Sequence, residues 1–204
     1  MELLATARPL VLHPGPARDL WDAVIAAWAI AELGTQLRRR RHAHERIRVA
    51  GDPTLLAVFA GIGGGLTLAQ AAARAHLAPL PGGAWWPVIA GLAITVAGVA
   101  LRLWAIVTLG RFFRIVVVIA HDHRLVDRGP YRRIRHPSYT GLLLAVVGLG
   151  LALGDWVALG AALLLSLAGL LVRIRAEERA LLAALGGDYA DYMARTWRLV
   201  PGVW

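Results

Sequence analysis

The chain contains no cysteine, which excludes disulfides, thiolate metal sites and a covalent cysteine nucleophile. It is also short of charge. Only 17% of its 204 residues are Asp, Glu, Lys or Arg, against about 25% in ordinary soluble domains. Acids are the scarcer sign, 13 against 22 basic residues. The opening stretch from Met1 to Trp21 lacks the basic, apolar and small-residue regions of a cleaved secretory signal. The first apolar span is therefore expected to act as its own insertion signal. No internal repeat or low-complexity linker divides the sequence, so residues 1–204 read as one membrane domain, with N-terminal spans in 1–108 and a chemically denser half in 109–204.

What is present is apolar surface. Hydrophobic residues make up 58% of the chain, and the mean hydropathy is +0.58. Long Ala, Leu, Val and Gly runs alternate with compact charged blocks, the way a bilayer protein distributes polarity. A membrane-crossing helix needs about 20 mostly apolar residues. Five segments are candidates: Leu20 to Leu37, Thr54 to Ala73, Trp85 to Leu109, Tyr139 to Leu153 and Trp156 to Val172. The last two are short and meet at Gly154-Asp155, which predicts a tight helical hairpin. The fold class expected is all-α integral membrane, about five transmembrane helices followed by a cytosolic C-terminal helical region. Gly61, Gly63, Gly64 and Gly65 in the second span suit close helix packing.

The loop from Arg38 to Arg48 is rich in arginine and belongs on the cytoplasmic side. The segment His76 to Gly83 has no Lys or Arg and belongs outside, and Arg111 to His136 returns inside. This places the N-terminus outside, and the C-terminus and the polar second half on one cytoplasmic face. The arginine run Arg38 to Arg41 reads as a topology and headgroup-binding element rather than a nucleic-acid site. Arg102, near the inner end of the third span, is expected to snorkel to the interface.

Polar capacity concentrates between Leu109 and Gly141. The β-branched run Ile115 to Ile119 suits a short strand or an extended crossing segment. Gly129-Pro130 forces a turn, and Pro137 suits the first turn of a helix starting near His136. Such a start offers unpaired N–H groups and a positive dipole end to an anion, and His136 and Tyr139 would share a face. Further on, Arg173 and Glu177 are four apart on a helix that runs out of its apolar stretch. Gly186-Gly187 ends that helix, and Tyr189 and Tyr192 begin another. Pro201 and Trp204 are expected at the membrane interface. His121, Asp122 and His123 are too few ligands for a metal site, and no metal is expected.

Four motifs in order, GPYxxxRHPxYxG from Gly129 to Gly141, RxxxEExxL from Arg173 to Leu181, GxxYxxY from Gly186 to Tyr192, and RLVPG from Arg198 to Gly202, resemble the isoprenylcysteine carboxyl methyltransferase family. Phospholipid N-methyltransferases share the same C-terminal pattern. The resemblance covers about Leu109 to Trp204. It implies S-adenosylmethionine as cofactor, bound by an HxLV element (His123, Arg124, Leu125 and Val126), by Tyr131, by the HPxY element (His136, Pro137, Ser138 and Tyr139) and by Glu177. It implies that Arg173 serves the methyl acceptor as catalytic and substrate-binding residue. Where eukaryotic members carry a Gln seven residues before HxLV, Val116 stands here.

The residue types agree with that chemistry. S-adenosylmethionine carries a carboxylate, an ammonium and a sulfonium, so its site needs basic donors, an acid and a water-poor wall. His136 with the helix N-terminus could meet the carboxylate, and Glu177 the ammonium. The expected activity is methyl transfer to a lipophilic small-molecule or lipid acceptor at a bacterial inner membrane, most simply a carboxylate of an isoprenoid or isoprenylcysteine-like compound. Two other readings stand beside it: a lipid-amine N-methyltransferase, and a non-catalytic adaptor that binds anionic membrane lipid.

Overall fold

A computed structural model describes residues 9–40, 53–81, 85–110 and 125–204. Six α-helices account for most of them: α1 (Pro16–Arg40), α2 (Pro53–Arg74), α3 (Trp85–Leu109), α4 (Pro137–Ala152), α5 (Trp156–Leu185) and α6 (Gly187–Arg195). Pro16, Pro53 and Pro137 each open a helix, where a missing N–H costs nothing and the fixed φ is already helical. Among the described residues there is no strand, only two isolated bridges, Pro79 with Asp155 and Ile134 with Trp197. The run Ile115 to Ile119 lies outside the described residues.

Three helices are long and apolar enough to cross a membrane, namely α2, α3 and α5. The other two expected spans fall on α1 and α4 but depart from that standard for different reasons. The 25 residues of α1 include Asp19, Asp22 and Glu32 as well as arginines, which lowers its hydropathy. In α4 the composition is apolar but the helix has only 16 residues, roughly 24 Å at 1.5 Å per residue, less than a hydrocarbon core of about 30 Å. Outward-facing apolar side chains such as Ile30, Leu56, Phe59, Val107 and Leu164 are well exposed. Such a surface calls for lipid as its solvent.

The helices pack through glycine. α3 and α4 form the most extensive pair, with α2 and α5 next. A methyl group added at Gly98 would stand 2.5 Å from the backbone nitrogen of Ala145, so only glycine allows α3 and α4 to approach this closely. In α2, Gly61 and Gly65 lie against α5, whereas Gly63 and Gly64 face open space. The predicted hairpin between α4 and α5 is present. Gly154 takes a φ of +69°, and Asp155 caps α5 by accepting from the amides of Val157 and Ala158 at 2.8 and 3.0 Å. Its second oxygen accepts from the amide of Ala78 at 2.7 Å. The α2–α3 connection and the α4–α5 turn therefore share one end of the bundle. Val11 packs into the core with Leu149 and Leu153 near that end, and the polar second half collects at the opposite end.

Candidate active site

At the polar end, four pieces of chain converge: the turn before α4, the first turn of α4, the final third of α5, and the tail after α6. Gly129, with a φ of +58°, starts a 3₁₀ turn through Arg132 that buries Pro130 and Tyr131. The backbone then runs beside the tail. Arg135 and His136 donate their amides to the carbonyls of Trp197 and Arg198 at 2.7 and 3.2 Å, and Trp197 donates back to Arg133 at 2.9 Å. The Thr140 hydroxyl donates to the carbonyl of Leu199 at 2.8 Å. The RLVPG segment is thus a strap on the start of α4, folded back so that the Arg198 guanidinium lies 4.4 Å from the Trp204 ring centre.

His136 is the residue preceding the first turn of α4 and Pro137 occupies its first position, as the sequence predicts. The His136 and Tyr139 rings stack with centroids 5.6 Å apart. The Tyr139 hydroxyl donates to Glu177 Oε2 at 2.8 Å and accepts from Arg173 Nε at 3.2 Å. One phenol therefore joins the arginine and the acid that the spacing in α5 placed on a shared face. Arg173 is 1% exposed, and its Nη1 donates to the Thr54 hydroxyl of α2 at 2.8 Å. Tyr139 and Thr54 together set the plane of the guanidinium. The amides of Tyr139 and Thr140 already donate to the His136 carbonyl at 3.0 Å each, which leaves the start of α4 less open to an anion than its sequence implies.

A residue outside the expected set organises the rest. His136 Nε2 lies 3.2 Å from Glu178 Oε1, and the same carboxylate accepts from Arg135 Nε at 3.1 Å and from Arg198 Nε at 3.0 Å. A carboxylate only accepts, so in this contact Nε2 is the donor. Arg135 Nη1 also donates to the carbonyls of Met193 and Thr196. The signal for Glu178 was in the sequence: the buried positions of α5 include Ala158, Ala162, Ser166, Leu170, Ile174 and Glu178, an unbroken row at spacing four. An acid at the end of an apolar row is a buried acid in need of cations. α6 closes the far side. The Tyr192 hydroxyl donates to the Tyr131 carbonyl at 2.8 Å. Burial raises the Tyr192 phenol above its ordinary value; burial also raises Tyr189, with the nearby Glu178 and Glu177 carboxylates adding.

Of the residues singled out in the sequence, the structure brings His136, Pro137, Ser138, Tyr139, Arg173 and Glu177 together. Tyr131 is buried next to α6, and Leu125 and Val126 are half-buried just before the 3₁₀ turn. His123, Arg124, Val116, His121 and Asp122 lie outside the described residues, as does Arg41. A cleft of about 410 Å³ opens along α5, lined by Arg175, Glu178, Arg179, Leu182 and Met193. At 100° per residue this lining faces away from Arg173 and Glu177, so the cleft is distinct from the Tyr139 cluster. No group of three or more possible metal ligands occurs among the described residues.

Comparison with known proteins finds likeness to one family. Residues 91–183 match the model of the isoprenylcysteine carboxyl methyltransferase family. The chain is similar to protein-S-isoprenylcysteine O-methyltransferase B of Arabidopsis thaliana, 35% identical over 58% of this chain and 61% of the relative. It is also similar to the uncharacterized protein YpbQ of Bacillus subtilis, 32% identical over 48% of this chain and 56% of the relative. A solved eukaryotic intramembrane Ras methyltransferase of the isoprenylcysteine carboxyl type superposes with a TM-score of 0.63 at 25% identity, covering 99% of this chain and 70% of that one. The chain spans about three-fifths of the length of the curated relatives it matches. With the apolar helices, these likenesses make the chain an integral membrane protein.

Proposed function

We propose that this protein is an S-adenosylmethionine-dependent methyltransferase acting on a carboxylate of a lipophilic acceptor, an isoprenylcysteine or a related isoprenoid or lipid, that reaches the site from the bilayer. The observation that carries this reading is the Arg173–Tyr139–Glu177 chain, which sits where an apolar helix becomes polar. The two acids of α5 differ in what they can offer a cofactor. Glu178 is committed to two arginines and His136. Glu177 is half-buried and, among the described residues, takes one hydrogen bond, to Oε2. Its other oxygen suits an ammonium, and the donor set thus fits S-adenosylmethionine.

When bound, that cofactor supplies a methyl carbon already activated by a sulfonium, so the protein needs no covalent nucleophile. The chain's own residues align and exclude water. Glu177 holds the ammonium, and His136, tied to Glu178 through Nε2, lines the start of α4 beside it. His123, Arg124, Leu125, Val126, Tyr131, Pro137, Ser138 and Tyr139 complete the cofactor's surroundings. Arg173, fixed by Tyr139 and Thr54, orients the acceptor carboxylate without protonating it. A carboxylate acceptor needs no general base. We place the polar end of the bundle on the cytoplasmic side of a bacterial inner membrane, with the N-terminus outside, following the arginine-rich loops.

The test is to incubate purified protein in lipid nanodiscs with methyl-labelled cofactor and a panel of prenylated carboxylates and lipid amines. Base-labile label in a carboxylate product supports the reading. Base-stable label in an amine product transfers the assignment to lipid-amine N-methylation. Failure to bind S-adenosylmethionine at all leaves a membrane adaptor.

A further inference from the structure

Arg102 does not snorkel. Its guanidinium turns inward and forms two parallel bonds with a carboxylate of α1, Nε to Glu32 Oε2 at 2.9 Å and Nη2 to Glu32 Oε1 at 2.6 Å. The remaining arm, Nη1, donates to Ser138 Oγ at 2.9 Å. The side chains of Arg102 and Glu32 are 13% and 21% exposed. Such a paired fork is the strongest geometry open to an arginine and an acid. It lies between α1 and the apolar α3, where a partly buried ionisable pair is expensive and seldom present without purpose. Two apolar residues would hold α1 to α3 at least as well.

The third contact is what distinguishes this pair from a fastener. Ser138 stands between Pro137 and Tyr139 in the first turn of α4, and its hydroxyl is held from α3 rather than from its own helix. Close packing prevents the arm from drifting: a methyl group at Gly141 would stand 2.6 Å from the Arg102 backbone nitrogen. Arg102 therefore fixes the rotation of the turn that carries His136 and Tyr139, and Glu32 fixes Arg102. In α1 the buried side chains with described positions, Ala17 and Trp21, lie toward the opposite end of the bundle. The Glu32 fork is thus a polar tie of α1 to the site end.

We propose that Arg102 is a positioning residue, held by Glu32, that orients the Ser138–Tyr139 turn from α3 and so couples the placement of α1 to the site. The proposal rests on the reading of Tyr139 as part of a cofactor pocket only for its catalytic consequence; the geometric claim stands apart from it.

The experiment uses the full chain in nanodiscs, labelled with 3-fluorotyrosine. The sequence has four tyrosines, and Tyr139→Phe assigns the resonance of interest. The doubly neutral variant Glu32→Gln/Arg102→Gln avoids stranding a charge. Its Tyr139 resonance should shift or broaden while those of Tyr189 and Tyr192 stay in place, and S-adenosylmethionine affinity should fall about tenfold to a hundredfold. Ser138→Ala keeps the ion pair intact and should reproduce the change at Tyr139. Arg102→Lys, which keeps the charge but loses the fork, should not restore the resonance. An unmoved Tyr139 resonance in Ser138→Ala, or a global collapse of all four resonances only in variants that lose the ion pair, overturns the proposal. If the unaltered protein binds no cofactor but the Tyr139 shift occurs, the positioning role stands and the functional reading falls.

Discussion

His136 Nε2 and Glu178 Oε1 stand 3.2 Å apart at the junction of α4 and α5. Around them, the two arginines that flank His136 in sequence and in the tail converge on the same carboxylate. The acid the sequence singles out for the cofactor's ammonium is Glu177, one residue earlier. The neighbouring acid takes the structural charge, and this leaves Glu177 for Tyr139. One acid thus holds the site's frame and the other faces its chemistry, a division that can be tested residue by residue.

Glu178→Gln should destabilise the fold far more than Glu177→Gln. It leaves the half-buried Arg135 and Arg198 without a countercharge, a loss of about 1–3 kcal/mol once partial exposure to solvent is allowed for. Thermal melting in detergent measures it. Equal melting temperatures for the two variants would show that the cation cluster is not a structural clamp.

Glu177→Gln should fold normally and bind S-adenosylmethionine about tenfold to a hundredfold more weakly, the cost of about 1.5–3 kcal/mol expected when a hydrogen bond to a charged group is lost. Calorimetric titration reads this directly. Unchanged affinity would remove Glu177 from the cofactor's surroundings.

Tyr139→Phe breaks the link between Arg173 and Glu177 while keeping the ring that stacks on His136. We expect turnover to fall by about tenfold or more, with a melting temperature close to that of the unaltered protein. Arg173→Lys should lose more, because an ammonium cannot reproduce the planar contact with both Tyr139 and Thr54. Full activity in Tyr139→Phe would rule out the bridging phenol as a working part.

Gly98→Val should separate α3 from α4, because the added carbons meet the backbone of Ala145 and Gly141. Overpacking of this kind costs about 1–3 kcal/mol. Gly63→Val, facing open space on α2, serves as the control and should melt almost unchanged. Similar losses at both positions would point to helix propensity instead of packing.

In the folded protein Tyr189 and Tyr192 should remain protonated through the range near pH 10 where a free phenol ionises, since burial raises both. The sign follows from linkage: the unfolded chain releases these protons first, so their contribution is whole below the ordinary tyrosine value and is lost as pH rises toward the folded one. Ultraviolet titration of phenolate, with Tyr189→Phe and Tyr192→Phe for assignment, checks it. Ionisation of either residue at pH 10 in intact protein would contradict the burial of α6 against the site.

Much of this molecule is legible without coordinates because it is local. The ends of α2 and α3, the proline that opens α4, the hairpin at Gly154-Asp155 and the glycine stop after Leu185 follow from hydropathy, proline and glycine placement, and cap chemistry, each acting within a few residues. The face shared by Arg173 and Glu177 follows from helical spacing alone. The spans on α1 and α4 were located but not their adequacy, since hydropathy averaged over a run hides an embedded Glu32 and does not lengthen a helix of 16 residues.

By itself the sequence determined an apolar, mainly helical membrane chain, the starts and stops of α2, α3 and α5 to within a residue or so, and the motifs that resemble one methyltransferase family. Only the tertiary structure decided which partner each polar side chain takes: Glu178 for His136, Tyr139 for Glu177, and Glu32 for Arg102. The physical reason is that helical periodicity specifies a face, whereas a buried charge must find its counterpart across helices, and that choice depends on how closely glycine-lined backbones approach and at what rotation.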